Sequence, residues 1–337
     1  MRGVENVTGR SSVNASIVQA AGKDRSPRAG PSLPHYGGQA VIEGVMMRGA
    51  RYMAIAVREP GGGIRVKSEP LTGLYVGRLR SVPFVRGTIV LWETLTLGMR
   101  ALVFSTEVAA GVEEEEEPSK AYIWGIVGVA LALATAVFFV GPVLLTGWLE
   151  SQLGNATLVV IIEGVLRLLL LLAYIWLIGL LPDIRRVFAY HGAEHRTINA
   201  WEAGAPLEVD SVMRFSNAHT RCGTGFLLTV AVVSLVVFVF LGMPTWWRRI
   251  TSRVVLIPVI AAVSYEIIRF SAAFWRFRVV RWLFSPGIAL QSLTTHDPDG
   301  PQVEVAIAAL QAVLEGDAAG PADESAIRRG PGTADAL

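Results

Sequence analysis

The sequence predicts a mainly α-helical membrane protein, with about four transmembrane helices and a small α+β cytoplasmic module. Three observations carry that reading. Hydrophobic residues make up 52% of the 337 positions and charged residues only 17%, against roughly 25% charged in an average soluble domain. The apolar residues come in long blocks that match a bilayer core of about 30 Å. Ahead of those blocks, residues 37–63 are glycine-rich with a strand-like run at 52–59, and 64–67 alternate as a short strand does.

Composition also excludes some classes. A net charge of +2 is too small to argue for nucleic acid. The single cysteine, Cys222, rules out an intrachain disulfide. The expected partner is the lipid bilayer, and no substrate can be named.

Residues 1–34 read as a disordered tail of small and polar residues without the apolar core of a signal peptide. Insertion then falls to a later segment. The cytoplasmic module is expected over 35–112. Its first block, Gly37 to Gly49, holds four glycines, which favour turns and close backbone approach. Glu43 and Arg48 are its charged exceptions, and from the residues alone they read as solvated charges on a strand-turn. Tyr52–Glu59 and Ile64–Lys67 flank Pro60-Gly61-Gly62-Gly63, which predicts a hairpin.

Within 83–108, Arg86, Glu93, Arg100 and Glu107 recur every seven residues among apolar neighbours. Four charges on one side argue against a simple span. An interfacial or re-entrant helix is expected, and a buried helix of the module is the alternative. Residues 113–120 are an acidic linker.

The membrane domain is expected over 121–285. Its four spans are Ala121–Trp148, Ala156–Leu181, Gly223–Leu241 and Val254–Ala273. Glu163 and Arg167 lie four apart in the order that favours an ion pair. The loop after the first span has no Lys or Arg, whereas 183–221 carries Arg185, Arg186, Arg196, Arg214 and Arg221. Both termini therefore face the cytoplasm. Arg248, Arg249 and Arg253 work against this, and Arg276, Arg278 and Arg281 restore it. A C-terminal cytoplasmic segment over 286–315 contains a short amphipathic helix, and 316–337 read as a disordered tail.

The chemistry concentrates at Tyr190–Glu202, expected as a cytoplasmic helix within 183–221. His191 and His195 are four apart and share one helical face, with Glu194 close to it. His-x-x-Glu-His is the inverted metalloprotease pattern, in which two His hold zinc and Glu is the general base. Topology brings His219, Cys222 and Glu266 to a similar depth, so each could complete the shell. Glu202 is a further candidate, seven residues after His195. Each has a plainer reading. Glu266 could pair with Arg269, Cys222 could be a small buried hydrophobe, and His219 could hydrogen-bond locally. His35 and His296 are isolated and read as non-ligands.

Several blocks resemble the YqhQ-like bacterial membrane proteins. They are Gly37–Gly49, Tyr190–His195, Arg221–Thr224, Ser264–Glu266 and Gln291–Thr295. The resemblance spans roughly residues 35–315. It implies a polytopic protein of the bacterial cytoplasmic membrane, of unknown function and described as a predicted metal-dependent enzyme. It also implies a functional role for Glu43 and Arg48. Thr220 stands where the family usually has proline. His296-Asp297 stands where Arg-Glu is usual, so no catalytic weight falls on that stretch.

The favoured expectation is a hydrolase that uses a divalent ion, zinc by ligand type, on His191 and His195. Glu266, or His219 with Cys222, would complete the shell, and Glu194 would take a proton from water. One rival is a transporter using Glu163, Arg167 and Glu266, for which a homo-oligomer could build the path. The other is a membrane scaffold with a structural metal or none.

Overall fold

The structure, a computed structural model, describes residues 36–71, 82–111, 120–219, 222–242 and 245–319. The expected tail at 1–34 and most of the acidic linker lie outside them.

Alternation builds the module. Strands β1 (Gly37–Val41), β2 (Gly44–Arg48), β3 (Tyr52–Arg58) and β4 (Ile64–Pro70) form one antiparallel sheet in chain order. Successive side chains point to opposite faces. Val45, Met47, Ala54 and Ala56 pack toward α11 (Gly300–Ala318) and α5 (Pro182–Glu202). Val41, Met46, Met53, Ile55 and Val57 pack toward α1 (Val85–Ala110). β3 is buried at five consecutive positions because it lies between the two layers. The expected hairpin at 52–67 is present.

α11 is longer than expected. An Asp299/Gln302 capping box starts it, and it runs to Ala318, past position 315. Near its end, the Asp317 carboxylate accepts the backbone N–H groups of Ala50, Arg51 and Tyr52. That contact closes the β2–β3 turn.

Three of the four heptad charges of α1 are explained by tertiary partners. Arg86 donates to Glu266 on α9 (Ile257–Ala273). Glu93 is buried and accepts from Arg48 Nε at 2.6 Å. Arg100 pairs with Glu69 at 2.6 Å. The first turns of α1 lie on α9, where a Cβ at Gly87 would come within 3.0 Å of Ala262 Cα. Its second half lies on the sheet through Leu97, Ala101, Phe104 and Val108. The helix thus joins the apolar bundle to the module.

The remaining elements are α2 (Lys120–Thr135), a π-helical turn (Ala136–Val140), α3 (Gly141–Leu153), α4 (Ala156–Ile178), α6 (Val209–Val212), α7 (Gly223–Leu241), α8 (Trp246–Val255) and α10 (Arg278–Gln291). Among the described residues, four helices are long and apolar enough to cross a membrane: Val85–Ala110, Trp124–Leu149, Thr157–Ile178 and Gly223–Leu241. Such helices are compatible with a multi-pass membrane protein. By length and composition alone, the set differs from the expected spans. Val85–Ala110 enters it, and the expected fourth span, Val254–Ala273, does not. That segment is broken at Leu256, which ends α8 and caps α9. Pro258, without a backbone N–H, sits in the first turn of α9 and starts a new helix. Likewise Pro182 begins α5 after α4 has ended at Ile178.

The expected Glu163–Arg167 pair forms at 2.9 Å, and Arg253 joins it at 3.2 Å. Arg253, grouped with Arg248 and Arg249 in the sequence, is buried. Both guanidinium groups flank the Phe238 ring, at 5.2 and 4.0 Å from its centroid. Arg167 Nε also donates to the Phe138 carbonyl, which the π-helical turn supplies.

Candidate metal centre

α5 carries the His-x-x-Glu-His pattern on a face that is buried from Ala189 onward. The His191 and His195 rings lie 4.4 Å apart, as a four-residue spacing dictates. Each ring is held by a backbone carbonyl. His191 Nδ1 donates to the Thr294 carbonyl at 2.9 Å, and His195 Nδ1 donates to the Asn217 carbonyl. A carbonyl only accepts, so Nδ1 carries the proton in both rings and each Nε2 keeps its lone pair. Metal-ligating histidines are oriented in the same way.

Cys222 supplies the third donor. It is the N-cap of α7, and its Sγ accepts the Thr224 N–H at 3.4 Å. Sγ lies 3.3 Å from His191 Nε2. The donor atoms of His191, His195 and Cys222 all fall within 4.8 Å of one another. A tetrahedral ion with Zn–N and Zn–S bonds of about 2.0–2.3 Å holds its donors roughly 3.5 Å apart. The three side chains therefore fit a zinc-like ion after a small contraction.

Two more groups border this trio. His219 is buried, its ring centroid is 5.5 Å from that of His195, and burial pushes its pKa down. Among the described residues its Nε2 makes no hydrogen bond, and the Glu202 carboxylate is 3.8 Å away. Gln291 fixes the His219 backbone through both amide atoms, at 2.9 and 2.7 Å. Glu194 is buried with Oε2 3.9 Å from His191 Nε2. β1 makes room for it, since a Cβ at Gly38 would sit 3.0 Å from Glu194 Cγ.

The other expected residues lie elsewhere. Glu266 is not in the group. Its carboxylate is taken by Arg86 and by the Phe84 N–H at 3.0 Å, because α1 docks on that face of α9. Arg48 is held by Glu93 on the opposite face of the sheet. Glu43 sits at the β1–β2 turn with φ of 52°, a strained backbone for a non-glycine residue. It accepts two bonds from Arg186 at 2.6 Å and one from the Tyr190 hydroxyl at 3.3 Å. The Arg186 hydrogen bonds hold the Glu43 carboxyl below its usual range, and burial pushes the Tyr190 hydroxyl up. Glu43 thus fixes α5 one residue before His191.

Asn217, Thr294 and Gly192 had no individual role in the sequence reading, although Gly192 and Thr294 lie within the Tyr190–His195 and Gln291–Thr295 blocks. The first two act through backbone carbonyls, which leave no side-chain signal. Gly192 lets the 294–296 loop lie on α5, because a Cβ there would strike the His296 carbonyl. The His296 N–H donates to the Phe188 carbonyl at 2.9 Å. Asp297, given no weight above, accepts from Arg196 at 2.5 Å and from Asn217 at 2.9 Å. It braces the residue that holds His195.

A sequence profile of a protein family of unknown function, DUF1385, matches residues 82–316. The chain belongs to this family. The DUF1385 match starts beyond β4 and spans His191, His195, Cys222 and the bracing Asn217, Thr294 and Asp297, but not Glu43. The chain is also 34% identical over 298 residues to the uncharacterized protein YqhQ of Bacillus subtilis (strain 168). That similarity covers 83% of this chain and 92% of the relative. No solved structure matches.

Proposed function

We propose that this DUF1385 protein is a metal-dependent enzyme, a hydrolase acting at the cytoplasmic membrane interface. One observation carries the proposal. Two histidines have their Nδ1 atoms tied to carbonyls, the Nε2 of His191 faces the Cys222 sulfur at 3.3 Å, and one ring nitrogen of His195 completes the trio within 4.8 Å, beside a buried carboxylate. His191, His195 and Cys222 would hold the ion. A zinc ion there would supply Lewis acidity near neutral pH. Glu194, outside the donor trio, offers Oε2 as the base that takes a proton from an attacking water. A peptide or a lipid-linked molecule arriving along the bilayer is the substrate class that suits this place.

His219 favours a second reading. If its Nε2 supplied a fourth donor, the shell would be closed and the ion structural, as in a scaffold. The transporter reading has less support, since Glu163, Arg167 and Glu266 are all engaged in ion pairs.

Elemental analysis of protein purified in detergent without chelator tests the proposal. About one transition-metal ion per chain is expected for a single site. His191→Ala and His195→Ala should empty the site, and Glu194→Gln should keep the ion. Retention of the ion by His219→Ala separates the open site from the closed one. Folded wild-type protein without stoichiometric metal would sink both readings.

A further inference from the structure

From Arg269 to Arg281 the chain carries four arginines, Arg269, Arg276, Arg278 and Arg281, and no acidic residue before Asp297. Aromatic residues are interleaved with them, and α10 exposes Val279, Trp282 and Leu283 at 74, 77 and 62%. Exposed apolar side chains alternating with arginines mark a helix that lies in a membrane surface.

Beside this stretch, the start of α1 and the end of α9 enclose an open groove of about 520 Å³. Phe84, Phe270 and Phe274 form its apolar wall, and Arg86, Glu266 and Arg269 are its charged groups. Glu266 is neutralised by Arg86. Arg269 is exposed one turn further on, so the groove keeps one positive charge beside an apolar wall. An uncompensated charge beside lipid is costly unless a counter-charge reaches it.

We infer that this groove binds one anionic phospholipid. The headgroup phosphate lies on Arg269 and an acyl chain lies along the phenylalanine wall. Arg276, just before α10, and Arg278 and Arg281 within it are also exposed. A second copy of the chain fits less well, because a two-fold contact would set this positive surface against itself. The inference goes beyond the metal reading and does not depend on it.

The test is native mass spectrometry of full-length protein in a non-ionic detergent. Phosphatidylglycerol or phosphatidylcholine is added, and retained lipid is counted. Phosphatidylglycerol should be retained in preference. Arg269→Gln should lower its retention about fivefold, the equivalent of about 1 kcal/mol for one basic side chain near an anionic surface. Arg269→Lys should restore it. Arg100→Gln, at the other end of α1, should leave it unchanged. Equal retention of the two lipids, or identical behaviour of the Gln and Lys variants, would overturn the inference. Displacement of the lipid by millimolar inorganic phosphate would also overturn it, as a free-phosphate site. So would loss of a dimer mass in Arg269→Gln with lipid retention intact, since the face would then join two copies.

Discussion

His191 Nε2 and Cys222 Sγ face each other at 3.3 Å across the junction of α5 and α7. One helix supplies both imidazoles, but the thiol arrives only when a second helix docks. An ion held by all three would clamp α5 to α7.

That clamp predicts a stability effect. Removing metal should lower the melting temperature of the detergent-solubilised protein. A ligand at 100 times its dissociation constant stabilises by about 2.7 kcal/mol. Cys222→Ala and His195→Ala should melt lower than wild type and ignore chelator, whereas Glu266→Gln should respond to chelator as wild type does. Thermal scans with and without chelator check this. Equal chelator sensitivity in wild type and Cys222→Ala would exclude the thiol as a donor.

The glycine inside the His-x-x-Glu-His stretch predicts a bracing effect. Gly192→Ala should push the 294–296 loop off α5 and free His191 from the Thr294 carbonyl. Disturbing such a brace typically costs 10–100-fold in metal affinity. Gly204→Ala serves as the comparison, with open space around it but a φ of 70°. It should melt lower through backbone strain while its metal affinity stays put. Competition with a metal-binding dye measures both.

Glu43 predicts an acid-side loss of stability. Its folded pKa lies below the ordinary carboxylate value, chiefly through hydrogen bonds from Arg186. The stabilisation is therefore fully present above the unfolded pKa and is lost as pH falls through the lowered folded value. Melting temperature should decline on acidification, and Glu43→Gln should be lower at neutral pH with a shallower decline. Parallel curves for the two proteins would show that Glu43 does not carry the effect.

The two contacts of α1 predict a topology. The helix begins on α9 and finishes on the sheet that the chain had just left. Reporters fused at positions 77 and 112 should therefore report the same side of the membrane. Opposite sides would make α1 a full crossing and would place the sheet differently.

Much of the architecture was legible because periodicity reports it directly. A strand-like run before the Pro60–Gly63 turn marked β3, alternation marked β4, and long apolar runs marked the helices after residue 120. The four-residue spacing of His191 and His195 exposed half of the donor set. Glu266 misled because depth along a helix says nothing about which side of it another element will claim, and Arg86 claims this one. Arg253 misled for the same reason, since its partner is ninety residues away. The carbonyls of Asn217 and Thr294 could not be found at all, because every residue owns a carbonyl and only folding decides where it points.

The Thr294 carbonyl that orients His191 is 103 residues further along the chain. At synthesis rates of about 5–20 residues per second, it emerges roughly 5–20 s after the histidine does. During that interval α5 already displays both imidazoles, with one of them unheld and its proton free to sit on either nitrogen. The centre is thus finished by a turn that leaves the ribosome just ahead of α11. A chain stopped before that turn would carry the visible motif but would lack the fixed tautomer that makes His191 a donor.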